Sequence, residues 1–236
     1  MQTYREPGSE PLLPSGLPSG LPSGLADHLR EVTRPAHVQA ERAAMQHLYN
    51  PAVLTARRYG NYLHAMHAVY TVLEQQLIAH REHPMLAPLY HPALHRAEAL
   101  AADLQVLLGP GWARLPVPAT GAAYAEAVQR AAAHDPVLLL AYSYTRYLGD
   151  LSGGQIVKRL VQQQLGLQGD DGLRALLFSG IPDLVGFRLE FRARLNALPL
   201  PTALREAVVA EALGSFRRTQ AVLGALEGAR QGLAAD

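Results

Sequence analysis

From Leu25 onward the apolar positions recur at helical spacing. The clearest run is Tyr59, Leu63, Met66, Tyr70, Leu73 and Leu77. Its steps alternate between four and three, which places all six side chains on one face of a helix. Thr55 stands just before this run, where a hydroxyl can accept from a free backbone N–H at a helix start. A second run, Leu204, Val208, Ala212 and Phe216, follows Thr202 as its expected cap. Asp135-Pro136 reads as the cap and first residue of a third helix, reaching about Leu165. Proline suits that place because its φ is preset and the first turn has no use for its missing donor. Less regular patterns predict helices over 25–47, 93–108, 119–133 and 182–197. Gly109-Pro110-Gly111, Gly169 and Leu198-Pro199 fall in the connections. No stretch alternates apolar and polar over a strand's length between hairpin turns, and isoleucine is scarce where alanine and leucine abound. The expectation is a single all-α domain over residues 25–228.

The two ends are read separately. The unit Gly-Leu-Pro-Ser recurs through Ser15–Leu25. Proline removes backbone donors and glycine raises the entropy cost of ordering, so residues 1–24 are expected to be a disordered spacer. Residues 229–236 form a short C-terminal tail. The 236 residues fit one domain with a sizeable core. Lys+Arg (21) nearly balances Asp+Glu (20), which gives no reason to expect a nucleic-acid or membrane-surface partner. The leucines of the N-terminal stretch are too interrupted for a signal peptide, and no apolar run is long enough to span a bilayer. A cytoplasmic protein is expected. Cysteine is absent, which excludes disulfides, Fe–S clusters, thiolate-bound haem and cysteine nucleophiles. Any metal must be held by His, Asp, Glu or Tyr.

Three stretches carry candidate chemistry. Tyr144-Thr-Arg-Tyr-Leu-Gly-Asp-Leu-Ser-Gly-Gly-Gln155 falls inside the third helix, yet holds Gly149, Gly153 and Gly154. Each interior glycine costs roughly 1 kcal/mol against alanine, so something must offset the cluster. Close packing against a second helix is one explanation. The other is a flat, rigid ligand lying against bare backbone, with a kink that opens the space. The residues leave these two readings level. Asp150, among the glycines, needs a hydrogen-bonding partner or water. In the second stretch, Leu29 to His37, Arg30 and His37 share a face about 10–11 Å apart if the helix is continuous; Pro35 between them complicates this, since an interior proline kinks a helix. A lone histidine on a helix is more often a solvated or core residue, and the chain has ten. The third, Phe187 to Arg194, sets Arg188 and Arg192 one turn apart, able to converge on an anion. The blander reading is a solvated basic face.

Together these stretches resemble the helical haem (heme) oxygenase family over about residues 25–228. Tyr144–Gln155 is similar to that family's distal-helix signature, and Thr33-Arg-Pro-Ala-His-Val-Gln-Ala-Glu41 to its proximal-helix motif. Pro84–Tyr90 and Gly109-Pro-Gly-Trp112 are similar to its linking segments. The resemblance implies haem held between a proximal helix and a kinked distal helix. It implies His37 as the axial iron ligand, with Glu41 orienting the imidazole. It places Arg30, Tyr144, Arg188 and Arg192 at the haem propionates, and Gly149 and Gly153 over the ring. Asp150 then anchors a distal water network, with Tyr70 and Arg146 as further members. Two departures stand out: Pro35, where the helix is expected to kink or begin, and the lack of the membrane-spanning tail of animal relatives, which points to the soluble bacterial type.

The implied activity is oxidative cleavage of haem at a meso carbon to biliverdin, carbon monoxide and ferrous iron. Haem is both substrate and cofactor, and O2 is consumed. No nucleotide motif such as G-x-G-x-x-G is present, so electrons must come from an external reductant: a reductase, a ferredoxin or a small molecule. Biliverdin could supply a bilin-binding photoreceptor, or the reaction could serve iron release. Three other readings compete. A haem carrier would keep His37 without needing Asp150. A thiaminase-like helical hydrolase needs the cysteine this chain lacks. A ligand-free helical domain leaves the glycines unexplained.

Overall fold

The computed structural model describes residues 24–228. The expected spacer over 1–24 and tail over 229–236 lie outside them, except for Gly24. Among the described residues every regular element is helical. In chain order these are α1 (Leu25–His47), α2 (Ala56–Ala79), α3 (Ala97–Leu108), α4 (Ala119–His134), α5 (Leu139–Tyr142), α6 (Gly149–Leu165), α7 (Leu184–Asn196) and α8 (Thr202–Gly228). A π-helical turn, Ser143–Leu148, joins α5 to α6.

The apolar stripes become the core. All six residues of the Tyr59–Leu77 run are buried, as are Val208, Ala212 and Phe216 of the α8 run. α2 packs between α3 and α4, and α1 lies along α8. Thr55 caps α2 by accepting from the Arg58 N–H at 3.1 Å. α8 begins at Thr202 itself, so that residue is its first helical position and not a preceding cap. α3 begins at Ala97, later than the expected 93, because Pro92–Leu94 forms a separate 3-10 turn.

Two expectations about helix geometry are corrected. α1 runs unbroken through Pro35, so the proximal helix does not begin there. Residues 135–165 do not form one α-helix. Asp135 accepts from the Val137 N–H at 2.9 Å and caps a 3-10 turn with Pro136 first. α5, the π turn and α6 then follow. The break expected from glycine comes instead from the π turn, which ends at Leu148, just before the first glycine. Such turns bend helices and are frequent at functional sites. α6 ends where Gly166 adopts φ +63°, a left-handed cap that suits glycine.

Several helix starts are capped from distant parts of the chain. Asn196, at the end of α7, accepts from the Ala26 N–H at 2.8 Å and so caps α1. Glu74 of α2 accepts from the backbone N–H groups of Arg96 and Ala97, and so caps α3. Asp103 of α3 accepts from the Arg174 and Ala175 N–H groups, each at 2.8 Å. These caps tie the 3-10 turn Arg174–Leu176 and α7 to the bundle, and that turn sits directly behind α6.

Candidate active site

A cleft enclosing about 1260 Å³, part of it open to solvent, separates α1 and α8 from the π turn and the start of α6. His37 and Glu41 of α1 line one wall, with Phe216 of α8 beside them. The His37 Nδ1 lies 3.6 Å from a Glu41 carboxylate oxygen, and the Phe216 ring meets the imidazole edge-on at 5.7 Å. The His37 side chain is 51% exposed, so it is no core histidine. Its position in the cleft and its partnered Nδ1 leave Nε2 as the nitrogen available to a ligand.

Gly149, Asp150 and Gly153 line the opposite wall. A β carbon built on Gly149 or Gly153 would meet no other atom within 4 Å. These two glycines therefore do not serve helix packing; they keep a surface bare. Gly154 differs, since its β carbon would touch the Leu176 carbonyl at 3.4 Å. The packing and ligand readings thus divide between residues of one cluster.

Behind this wall lies a second cavity of about 590 Å³, lined by Tyr62, Tyr70, Arg96, Arg146 and Asp150 among others. Tyr70 donates its hydroxyl to the Asp150 carboxylate. Burial pushes the Asp150 carboxyl upward, opposed by Arg146, the Tyr70 hydrogen bond and Arg96. Burial alone would lower Arg146, but the phenol oxygens of Tyr124 and Tyr70 and the Asp150 carboxylate outweigh it, holding the guanidinium charged. The Arg146 charge also opposes the upward push of burial on the Tyr62 phenol. The result is a polar cluster around one carboxylate, facing both cavities.

At one edge of the cleft stands Tyr144. Burial pushes its phenol up, opposed by a hydrogen bond with Thr33 and by the charges of Arg192 and Arg30. Arg192 lines the cleft with Tyr144. Arg188, one turn earlier on α7, is not among the lining residues, although its Nε is enclosed without a protein partner. The structure therefore places Tyr144 and Arg192 on the cleft and the Arg30 charge near Tyr144, with neither Arg30 nor Arg188 among the lining residues. The sequence reading missed Tyr62, Tyr124, Arg96, Thr145 and Ser215, which complete the surroundings of Arg146 and the π turn. Phe216 was on the α8 stripe but was read as core alone.

The model of the family described as heme oxygenase matches residues 23–225. The chain belongs to the haem oxygenase family. It is 36% identical over 201 residues to Heme oxygenase 1 of Synechocystis, covering 85% of this chain and 83% of that protein. It is 34% identical over 192 residues to Heme oxygenase of Takifugu rubripes, covering 80% and 69%. Among solved structures, Synechocystis heme oxygenase-1 in complex with heme matches with a TM-score of 0.83 at 35% identity, covering 87% of this chain and 93% of that one. Heme oxygenase from Leptospira interrogans matches with a TM-score of 0.79 at 32% identity, covering 85% and 98%.

Proposed function

We propose that haem lies flat in the cleft between His37 and the bare backbone at Gly149 and Gly153, its carboxylates turned toward Arg30, Tyr144, Arg192 and the neighbouring Arg188. The observation that carries this reading is the open space above two helical glycines, facing a half-exposed imidazole across the cleft. That space fits a planar ring bearing an iron, and the surrounding cations and phenol suit its anionic edge. The family's reaction is oxidative opening of haem to biliverdin with O2 and external electrons; it is an oxidoreductase reaction with haem as substrate.

Bound haem supplies the iron at which oxygen is activated. His37 would hold that iron through its imidazole, with the Glu41 carboxylate 3.6 Å from Nδ1 leaving Nε2 for the metal. The bare backbone at Gly149 and Gly153 would let the ring approach α6 closely and would limit which meso edge oxygen could reach. Asp150, held by Tyr70 and set among charged Arg146 and Arg96, keeps an ionised or hydrogen-bonded acceptor beside that space. From there it orders water and holds protons near the reacting edge. A non-catalytic haem carrier would need His37 but no such cluster.

Electrons come from a reductase, a ferredoxin or a small reductant docking at the open edge of the cleft. Among the described residues no helix is long and apolar enough to cross a membrane. We assign the work to the cytoplasm, with a bilin-binding photoreceptor as one recipient of the product. The test is a titration with haemin followed by reductant, reading the Soret band and biliverdin absorption. Wild type should convert haem; His37→Ala should bind it with a changed Soret band and lose turnover, with partial return on adding imidazole. Unchanged turnover in His37→Ala without imidazole would remove His37 from the ligand role.

A further inference from the structure

A fully buried serine on α8, Ser215, joins three elements. Its Oγ lies 2.5 Å from the Tyr124 hydroxyl of α4 and 2.6 Å from the Thr145 hydroxyl of the π turn. Thr219, one turn on, donates to the Ser215 carbonyl at 3.1 Å. Tyr124 is fully buried and Thr145 nearly so, which leaves these hydroxyls no bulk water to turn to. The next residue of α8, Phe216, is the one that meets the His37 imidazole edge-on. Adjacent residues of a single helix thus touch the two opposite walls of the cleft. Ser215 grips the π turn that carries Arg146 and leads into Gly149, and Phe216 backs the proximal histidine.

The geometry points to Ser215 as a positioning residue that sets the spacing and tilt between the proximal and distal walls, and through them which meso edge is presented to oxygen. The inference rests on the haem-binding reading of the cleft. π-helical backbone is less regular than α-helix and needs outside contacts to hold one arrangement. The α4–α8–π-turn hydroxyl chain provides such a contact. Loss of any member strands buried partners and frees the turn. Loss of shape without loss of hydroxyl should not.

The experiment pairs hydrogen exchange of the ligand-free full chain with turnover of the haem-loaded protein, for Ser215→Ala, Thr145→Val, their double variant and Thr145→Ser. Thr145→Val keeps the side-chain shape and removes the hydroxyl, and Thr145→Ser does the reverse. In Ser215→Ala and Thr145→Val, amides of 143–150 should exchange at least about ten-fold faster, as expected for loss of the buried hydrogen bond to the π turn that both variants remove; Ser215→Ala also loses the Tyr124 contact. α3 should not change. The double variant should add little beyond Ser215→Ala, because the link to Thr145 is already gone in that variant. Thr145→Ser should stay within about two-fold of wild type by the same reasoning. In the loaded protein, Ser215→Ala should broaden the biliverdin isomer distribution and lower kcat with little change in KM for haem. Exchange and isomer distribution unchanged in both single variants would overturn the proposal, as would fully additive exchange effects. If exchange responds as expected while wild type forms no biliverdin, the haem reading fails and the mechanical role of Ser215 stands.

Discussion

Adding a methyl group at Gly149 or Gly153 separates stability from ligand binding. Gly149 has helical dihedrals, φ −61° and ψ −51°, and Gly153 lies within α6. A β carbon at either meets no protein atom within 4 Å. With no steric cost, Gly→Ala should stabilise the ligand-free protein by about 0.4–1 kcal/mol, through lower backbone entropy of the unfolded chain and better helix propensity. For a chain of this size that is a rise of about 1–4 °C in Tm. The same methyl group projects into the cleft where the ring is to lie. Overpacking a fitted site costs about 1–3 kcal/mol, so haem affinity should fall by roughly five- to more than a hundred-fold, or the ring should shift and turnover fall with it. Melting of the ligand-free variants, a Soret titration and biliverdin yield together read all three effects. A drop in Tm would mean that the glycines serve packing after all. Unchanged haem affinity and turnover in both alanine variants would show that the open space is not where haem lies.

Three further expectations follow from particular contacts. Asp150→Ala should fold and bind haem but lose at least about ten-fold in biliverdin yield, with peroxide-driven peroxidase activity rising; Asp150→Asn should retain part of the yield, since an amide still hydrogen-bonds water. Wild-type yield in Asp150→Ala would make the carboxylate structural. Gly121→Ala should behave oppositely to Gly149→Ala: its β carbon would fall 2.6 Å from the Ala65 Cα where α4 crosses α2, so melting should show a loss of about 1–3 kcal/mol. Burial raises the Glu74 carboxyl from 4.5 to about 7 and Asp103 from 3.8 to about 6, each opposed by the N–H groups it caps. The unfolded chain then releases these protons at lower pH than the folded one. Their contribution to stability is therefore present below about pH 4 and declines as pH rises to about 7. Denaturant unfolding across that window should show a shallower decline in Glu74→Gln than in wild type; parallel curves would refute the assignment.

What the sequence could reveal followed the reach of each interaction. The apolar stripe of α2 and the caps at Thr55 and Asp135 depend on neighbours a few residues away, and their spacing exposed them. Asn196 on α1, Glu74 on α3 and Asp103 on Arg174 cap across 170, 22 and 71 positions, and no local pattern encodes them. The glycine cluster showed that α6 is unusual, but only three-dimensional packing divides Gly154, against Leu176, from Gly149 and Gly153, which face open space. The π turn left no mark either, since Ser143–Leu148 reads as ordinary helix. One signal was available and unused: ten tyrosines against four phenylalanines. Buried phenols need partners, and that excess pointed to an interior built around hydroxyls such as Tyr70 and Tyr124.

The π turn has a consequence for how this chain tolerates length changes. Each residue of an α-helix advances the side-chain direction by about 100°. Removing one residue from Ser143–Leu148 would let α5 and α6 merge into a single regular helix, locally the easier structure to form. It would leave α6 close to its present phase relative to α5, because a π turn, closing i→i+5, spreads about one extra residue over nearly the same sweep; Asp150 would still face Tyr70, and what would be lost is the widened turn and its bend. The extra residue is absorbed within the turn and is not passed on to α6 as a rotation. Single-residue deletions there should yield well-folded proteins that keep the phase of α6 and lose the bend, whereas a deletion within the regular helix α6 should rotate all that follows it by about 100°.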